Sequence, residues 1–513
     1  MAGPVDVGAA GSAGVGVGGV VAALSVTSDL ARGHPPGEST RACLLAVELA
    51  RRAGLSPGEQ GDVYYGTLMR LAGCTATSHE MAATFGGDDV LTRSRGDLVD
   101  GARLVEGIRL LAGLGQGAER FRVLARAPIV PRVIAEGAKA DCEVGADLTR
   151  QLGLPDTVRQ AVLDAFERFD GKGAPRGCAG EDVAQAARFA AVGLTAVMFD
   201  AAGGASLAHD MVRAWSGRAL DPEVTAQYLA APDDVLEASD PVDPWAAVVA
   251  AEPIPHRVFR DDAGLDVALA AFGDAADLKS PWFHGHSRGV ARLAREAAVR
   301  LGSADPDLVH RAGLVHDLGR VAVPTGTWER PRALRPREWE AVRLHPYHSG
   351  RILARSPVLA PLGEIVRRHH ERTDGSGYPA GVDGHDLDAA ARLLGAADVL
   401  HALGEARPHR AALDPGEASR VLATHPLDRD AIRAVLEAAG APSPALPALP
   451  ADLTERELDV LRLLAAGRTK RQIAADLFVA PSTVHTHTVH IYEKCGVSTR
   501  AALAMFAMRH DLT

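Results

Sequence analysis

Between residues 280 and 400 the chain carries a series of side chains suited to holding divalent metal ions. They are His286, the adjacent pair His316 and Asp317, His345, the adjacent pair His369 and His370, and Asp398. Neutral imidazole and carboxylate in one set suit iron, manganese, zinc and similar ions. In an adjacent His-Asp pair, one residue can bind an ion directly while the other bridges two. Two ions about 3.5–4 Å apart would clamp a phosphodiester and generate hydroxide in line with the leaving oxygen. A single histidine is more often a core or surface residue than a ligand; it is the set of seven in order that points to chemistry.

The elements that must position these residues read as helices. In ARLAREAAVRLG, DLVHRAGLV and REWEAVRLH, apolar residues recur at three- and four-residue steps, and no segment shows strand alternation. Apolar residues make up 47% of the chain and aromatics only 4%, a balance that favours Ala/Leu-packed helices over sheets. The fold class expected is all-α. The ligand-rich region also has an internal counterpart. FERFDGKGAPRGCAGEDVAQAARFAAV (166–192) matches HERTDGSGYPAGVDGHDLDAAARLLGA (370–396), with Asp374 and Pro379 each 204 residues after Asp170 and Pro175. ESTRACLLAVELARRAGL (38–55) similarly resembles HSRGVARLAREAAVRLG (286–302). A duplicated helical domain follows. At the ligand positions the first copy carries Glu38, Arg70, Leu71, Asp141, Ala165, Phe166 and Leu194, and Ala174 in place of Tyr378. That set cannot hold two divalent ions, so the first copy reads as a structural or dimerisation partner. It also shows that packing alone does not demand the seven ligands of the second.

At about 150 residues per domain, 513 residues suggest roughly three domains. Pro-rich stretches at 232–257 and 441–450 read as linkers. The expected layout is a disordered Gly/Ala-rich leader at 1–25, a degenerate domain at 26–231, the ligand-bearing domain at 258–440, and a C-terminal domain at 451–513. The leader lacks a basic n-region, and no apolar run of about 18 residues escapes Gly or charge breaks, so no membrane partner is expected. Five scattered cysteines without a C-x-x-C pair argue against a disulfide framework and for a reducing, cytoplasmic setting. The net charge of −10 confines any nucleic-acid contact to a local basic face.

The segments H-S (286–287), H-D-L-G (316–319), H-P (345–346), H-H-E-R-T-D-G-S-G-Y-P (369–379) and A-D (397–398) resemble the HD-GYP branch of the HD phosphohydrolases over about 283–410. The resemblance implies an all-α domain with a two- or three-metal site, usually iron or manganese, that hydrolyses cyclic di-GMP. Carried over, His286, His316, Asp317, His345, His369, His370 and Asp398 would be the ligands of two divalent ions, with Asp317 and Arg320 catalytic. Gly377, Tyr378 and Pro379 would form a loop beside the substrate, and Arg407 and Arg410 would face its phosphates. The sequence departs from the family at four places. Arg320 replaces a lysine, and arginine is a poor proton donor. His401 replaces the second aspartate of D-x-x-D, R-P-H-R replaces R-P-Y-R, and Trp282 stands where some members place a glutamate.

The C-terminal segment has its own grammar. Thr454 with Glu457 forms a capping box, Gly467 stops a helix, and Thr469 caps a short one. After a turn, Ser482 caps a longer helix ending at Gly496, and Ser498 or Thr499 caps the last. Two short helices joined by a tight turn give helix-turn-helix spacing. Residues 453–503 resemble the LuxR-type output domain. By that resemblance Ser482, Thr483, His485 and Thr486 lie near bases or phosphates, Lys470 and Arg471 grip phosphate, and a homodimer binds paired promoter half-sites. Three readings stand: a cyclic dinucleotide phosphodiesterase joined to a DNA-binding output; a catalytically weak or inactive nucleotide and metal sensor controlling that output; or a phosphohydrolase of another nucleotide.

Overall fold

The computed structural model describes residues 16–100, 103–114, 118–253, 259, 261–444, 450–510 and 512. Within these the architecture is all-α, with no β-sheet and two isolated bridges. In the second half, the helix His286–Leu301 is central. It packs on Pro306–Val315, Ala389–Leu403 and Arg429–Ala438. Val290, Ala291, Leu293, Ala294, Ala297 and Ala298 form its buried face, at the spacing of one helical stripe. Asp305, Asp388 and Asp428 cap the three partner helices by accepting hydrogen bonds from main-chain N–H groups.

The first half reproduces individual contacts of the second. Asp29 accepts from the Ser39 N–H at 3.1 Å, and Asp277 from the Ser287 N–H at 2.9 Å. Glu167 accepts from the N–H groups of Arg176 and Cys178; Glu371 accepts from those of Ala380 and Val382. Arg188 pairs with Asp221 as Arg392 pairs with Asp428. The two halves share one apolar core, because each sends a helix across. Val17–Ala31 packs on its own half and also against the turn Leu318–Ala322 and the helix His345–Leu353. Asp262–Asp277 reciprocally meets Cys74–Thr77 and Val130–Gln151. A fully buried ion pair, Lys279 with Asp89 at 2.6 Å, ties the halves together.

Two boundary expectations are corrected. Residues 17–25 are not a disordered leader: they belong to the buried helix Val17–Ala31, whose Val20, Val21, Ala22, Ala23 and Leu24 fill the shared core. Residues 1–15 lie outside the described residues. The Pro-rich stretch from 232 is likewise packed, as helices Pro232–Ala238 and Pro244–Ala250. Each proline occupies a first helical turn, where its missing N–H costs nothing, and Val235, Leu236 and Val248 are buried. One helix, Gln185–Gly203, is long and apolar enough by length and composition to cross a membrane; 61% of it is buried inside the fold. All five cysteines are free.

The C-terminal unit comprises the helices Glu455–Ala465, Lys470–Asp476, Pro481–Cys495 and Arg500–Arg509 around Leu461, Ile473, Val484, Ile491 and Leu503. The Thr454/Glu457 box and the Thr469 cap form as read; Gln472 completes a second box with Thr469, and of Ser498 and Thr499 it is Thr499 that caps. Ser482 does not cap: the long helix starts at Pro481, which places Ser482 inside its first turn. Burial opposes ionisation of Glu457, but Lys494 at 2.7 Å and Thr454 outweigh it and hold its carboxyl down at about 2, against an ordinary 4.5. A depressed carboxylate stabilises the fold above its ordinary value and loses that contribution as pH falls toward the folded one. Glu457→Gln should therefore cost this unit about 1–2 kcal/mol at pH 7. The deficit should vanish between pH 4.5 and 2 in urea melts followed through Tyr492; a deficit constant across that window would refute the assignment.

Candidate metal centre

Five elements bring the seven sequence-read ligands together. His286 opens its helix, whose first turn is locked by the Asp277–Ser287 hydrogen bonds. His316 ends Pro306–Val315, and Asp317 begins the following 3-10 turn. His345 opens its own helix; His369 and His370 follow Ala360–Val366; Asp398 sits inside Ala389–Leu403. The turn after Asp317 lies directly on the His345 helix. A Cβ at Gly319 would fall 2.1 Å from the His345 carbonyl oxygen, so only glycine permits that approach.

All of these side chains are buried except His370, which is partly so. In His316, His345 and His369, Nδ1 donates to the carbonyl three residues earlier, at Gly313 (2.8 Å), Val342 (2.6 Å) and Val366 (2.6 Å). Each bond sets the tautomer and turns a lone-pair Nε2 inward. Those three Nε2 atoms, Nδ1 of His370 and both Asp317 oxygens are buried without a hydrogen-bond partner. Orphaned buried acceptors are costly, and so many converging on one point fit a bound cation. Two groups form, each with its ligand atoms within 4.8 Å of one another: His345, His369 and His370; and His286, His316, Asp317 and Asp398. Asp317 spans both. Its Oδ1 is 3.1 Å from His345 Nε2 and 3.8 Å from His369 Nε2; its Oδ2 is 3.0 Å from His316 Nε2.

The electrostatics agree with this arrangement. Burial opposes charge on Asp317, but Arg320 and His316 hold its carboxyl well below the usual range, and His286 and His316 do the same for Asp398. Burial would depress His316, yet Asp317 and Asp398 raise it to about 10; burial and His316 push His369 down to about 3. The carboxylates thus draw positive charge into the site, where a divalent ion can take the place of protons.

Arg320 contacts Asp317 directly and lies 4.2 Å over the Phe283 ring and 5.5 Å from that of Trp328. Its Nε and Nη1 are buried without partners. Arg407 shares the Phe283 ring at 4.8 Å and is anchored by Glu405 at 2.6 Å and the Trp282 carbonyl at 2.7 Å. Tyr378 tilts over His370 with ring centroids 4.7 Å apart, and Gly377 beside it has no room for a Cβ, which would lie 2.4 Å from the Arg372 nitrogen. Pro379 follows through a cis bond. The expectation for Arg410 is corrected: its guanidinium donates to the carbonyls of Ala402, Leu403, Glu405 and Ala411, tying down the end of Ala389–Leu403 rather than facing a substrate.

Glu405 escaped the sequence reading. With His286 at 2.9 Å and His401 at 3.3 Å it forms a third potential metal-holding group. The one-turn spacing from His401 to Glu405 was the available signal. In the first half, cations stand near the corresponding positions: Arg93 pairs with Asp141 at 3.1 Å, and burial lowers the enclosed Arg70 to about 10. Among the described residues, every group able to hold a metal lies in the second half.

On the C-terminal unit, Lys470, Arg471, Ser482, Thr483, His485 and Thr486 are all exposed, whereas Val484, Thr488 and Ile491 of the same long helix face the core. Lys470 Nζ meets His485 Nδ1 at 2.7 Å, placing the two helices' polar residues on one face.

A buried histidine–aspartate cluster on an all-α scaffold, followed by a helix-turn-helix unit, defines a candidate metal centre joined to a candidate DNA-binding unit. Residues 271–429 match the HD domain family, and residues 451–507 match the luxR family of bacterial regulatory proteins. Residues 271–429 thus carry an HD domain, and a luxR-family regulatory domain follows it. It is similar to 3'3'-cGAMP-specific phosphodiesterase 3 of Vibrio cholerae, with 29% identity over 410 residues, covering 78% of this chain and 88% of that protein. It is also similar to the cyclic di-GMP phosphodiesterase PA4108 of Pseudomonas aeruginosa, at 35% identity, covering 30% of this chain but only 39% of that protein. The crystal structure of a cyclic GMP-AMP specific phosphodiesterase of V. cholerae shares the fold, with a TM-score of 0.56, 24% identity, and coverage of 85% of this chain and 99% of that one.

Proposed function

We propose that this protein is a metal-dependent phosphodiesterase for cyclic dinucleotides whose HD domain is coupled to a DNA-binding output. The observation that carries the reading is the convergence of orphaned imidazole nitrogens on both oxygens of Asp317. In it, His286, His316, Asp317, His345, His369, His370 and Asp398 hold two divalent ions, iron or manganese. When bound, such ions polarise a phosphodiester and supply an activated water. Arg320 presents its unpartnered Nε and Nη1 to phosphate oxygens. Arg407 adds positive charge beside it, and Tyr378 with Pro379 lines the opening. The first half is a repeat of the HD scaffold that lost its ligands and now completes the shared core. The protein acts in the cytoplasm as a homodimer whose two luxR-family units meet paired half-sites.

The relative matched over most of its length takes its name from cyclic GMP-AMP, and others from cyclic di-GMP. Both substrates therefore belong in the test: product formation by the full chain with iron or manganese restored, beside Asp317→Ala. Linear product absent from the variant supports hydrolysis; no product from either substrate at full metal load overturns it. One observation favours the sensor reading as second choice. Arg320 replaces a lysine and is committed to Asp317, so it cannot hand a proton to a leaving oxygen.

For the output domain, Lys470→Ala should weaken binding to all DNA sequences alike. It should also lower the slope of log affinity against log salt by about 1, the signature of a lost phosphate contact. A sequence-selective loss with an unchanged slope would refute that role.

A further inference from the structure

Of the five tryptophans, only Trp339 and Trp282 have exposed side chains, and both lie at the metal centre. Trp339 is 42% exposed on the helix Pro336–Arg343. Its ring meets that of Tyr378 edge-on at 5.8 Å, and Tyr378 in turn covers His370 at 4.7 Å and faces His345 at 6.4 Å. The Arg343 guanidinium lies 5.8 Å from the Tyr378 ring centroid. The helix is held in place by Glu338, which accepts from the Arg335 N–H at 2.8 Å and pairs with Arg330 at 3.1 Å. An indole is thus left 42% exposed one ring away from the candidate metal-holding histidines. Leaving an indole exposed forfeits burial that a packed tryptophan would gain, and an aromatic face beside a phosphate-handling site is the usual platform for a nucleobase.

Resting on the phosphodiesterase reading, we propose that Trp339 is a substrate-binding residue that stacks one base of the cyclic dinucleotide while its phosphate lies at the metal centre. Tyr378 holds the indole's edge and sets the platform's distance from the metal-holding group. Arg343 supplies positive charge beside a purine's carbonyl and ring-nitrogen acceptors.

The test uses the full-length, manganese-loaded protein and its Trp339→Ala and Trp339→Phe variants. It reads steady-state hydrolysis and equilibrium binding of cyclic GMP-AMP and cyclic di-GMP. Trp339→Ala should raise KM and Kd about tenfold, as expected for loss of one base–aromatic stack, with kcat within about twofold. Trp339→Phe should recover most of the loss. Unchanged KM and Kd in Trp339→Ala, or equal losses in the alanine and phenylalanine variants, overturn the stacking role. If the wild type binds but does not hydrolyse either nucleotide, the turnover reading fails and the Kd comparison alone decides Trp339. If it binds neither, both proposals fall.

Discussion

Asp317→Ala should lower kcat for hydrolysis by about three orders of magnitude and empty part of the metal site. The size follows from position. One carboxylate oxygen faces His345 and His369, while the other faces His316, so a single substitution takes a ligand from both groups. Metal-borne charge stabilisation of a phosphoryl transition state contributes several kcal/mol, and about 4 kcal/mol corresponds to a thousandfold in rate. The same change strips Arg320 of its carboxylate partner. Activity must therefore be read beside metal content by elemental analysis and beside a melting curve that shows a folded variant. Turnover above about a tenth of wild type with metal still fully bound would mean that Asp317 is not the bridge, and the chemistry would have to be rebuilt on Asp398.

Lys279→Met is expected to be the most damaging substitution outside the metal centre. Lys279 and Asp89 are both fully buried. Asp89 also accepts from the Thr325 N–H at 2.8 Å, and the Lys279 carbonyl accepts from the Thr325 hydroxyl at 3.2 Å. Removing one partner of a buried pair leaves an uncompensated charge, at a cost of about 3–5 kcal/mol. The pH dependence carries a sign that identifies the cause. Burial opposes the Asp89 charge, but Lys279 dominates and holds the carboxyl below its ordinary 3.8. In the wild type its contribution is present above pH 3.8 and disappears as pH falls through the lower folded value. Without Lys279, burial is opposed only by the Thr325 N–H and by Arg93, so the carboxyl should rise and the variant should lose stability as pH rises above the ordinary 3.8. Urea melts of Lys279→Met, Asp89→Asn and the double variant at pH 5 and pH 8 test this. If the double variant is no better than the sum of the single ones, the two charges are not coupled.

The consequence reaches function because Asp89 belongs to the half that lacks metal ligands. Thr325 opens a short helix ending at Trp328, and the Trp328 indole donates to the Arg320 carbonyl at 3.2 Å. The Gly326 N–H likewise donates to the Gly87 carbonyl across the halves, at 2.8 Å. The wall that positions Arg320 is thus braced by the other half of the molecule.

Much of the site was legible in order of residues alone. Ligand types, their spacing, the D-G-x-G-x-P loop and the capping boxes are local or linear features, and each reflects a chemical or backbone requirement that few residues meet. Helical periodicity likewise yielded the all-α class, because one buried stripe per helix leaves its mark at three- and four-residue steps. The failures were matters of context. Val17–Ala31 carries Gly and Ala enough to pass for an unstructured leader, and becomes a core helix only because two halves close on it. The prolines at 232 and 244 look like breakers, yet sit where a helix tolerates them and pack Val235 and Val248 inward. Arg410 has the right residue type and the right spacing, but nearby helix-end carbonyls claim its guanidinium. The sequence by itself determined which side chains are available for chemistry: a set of seven candidate ligands, a nearby arginine and a helix-turn-helix surface. Tertiary structure alone decided that Asp317 turns one oxygen to each group, that Glu405 joins His286, and that the half without the histidine–aspartate cluster braces the half that carries it. Those outcomes depend on approaches between residues far apart in the chain, and only packing brings such residues within a few ångströms.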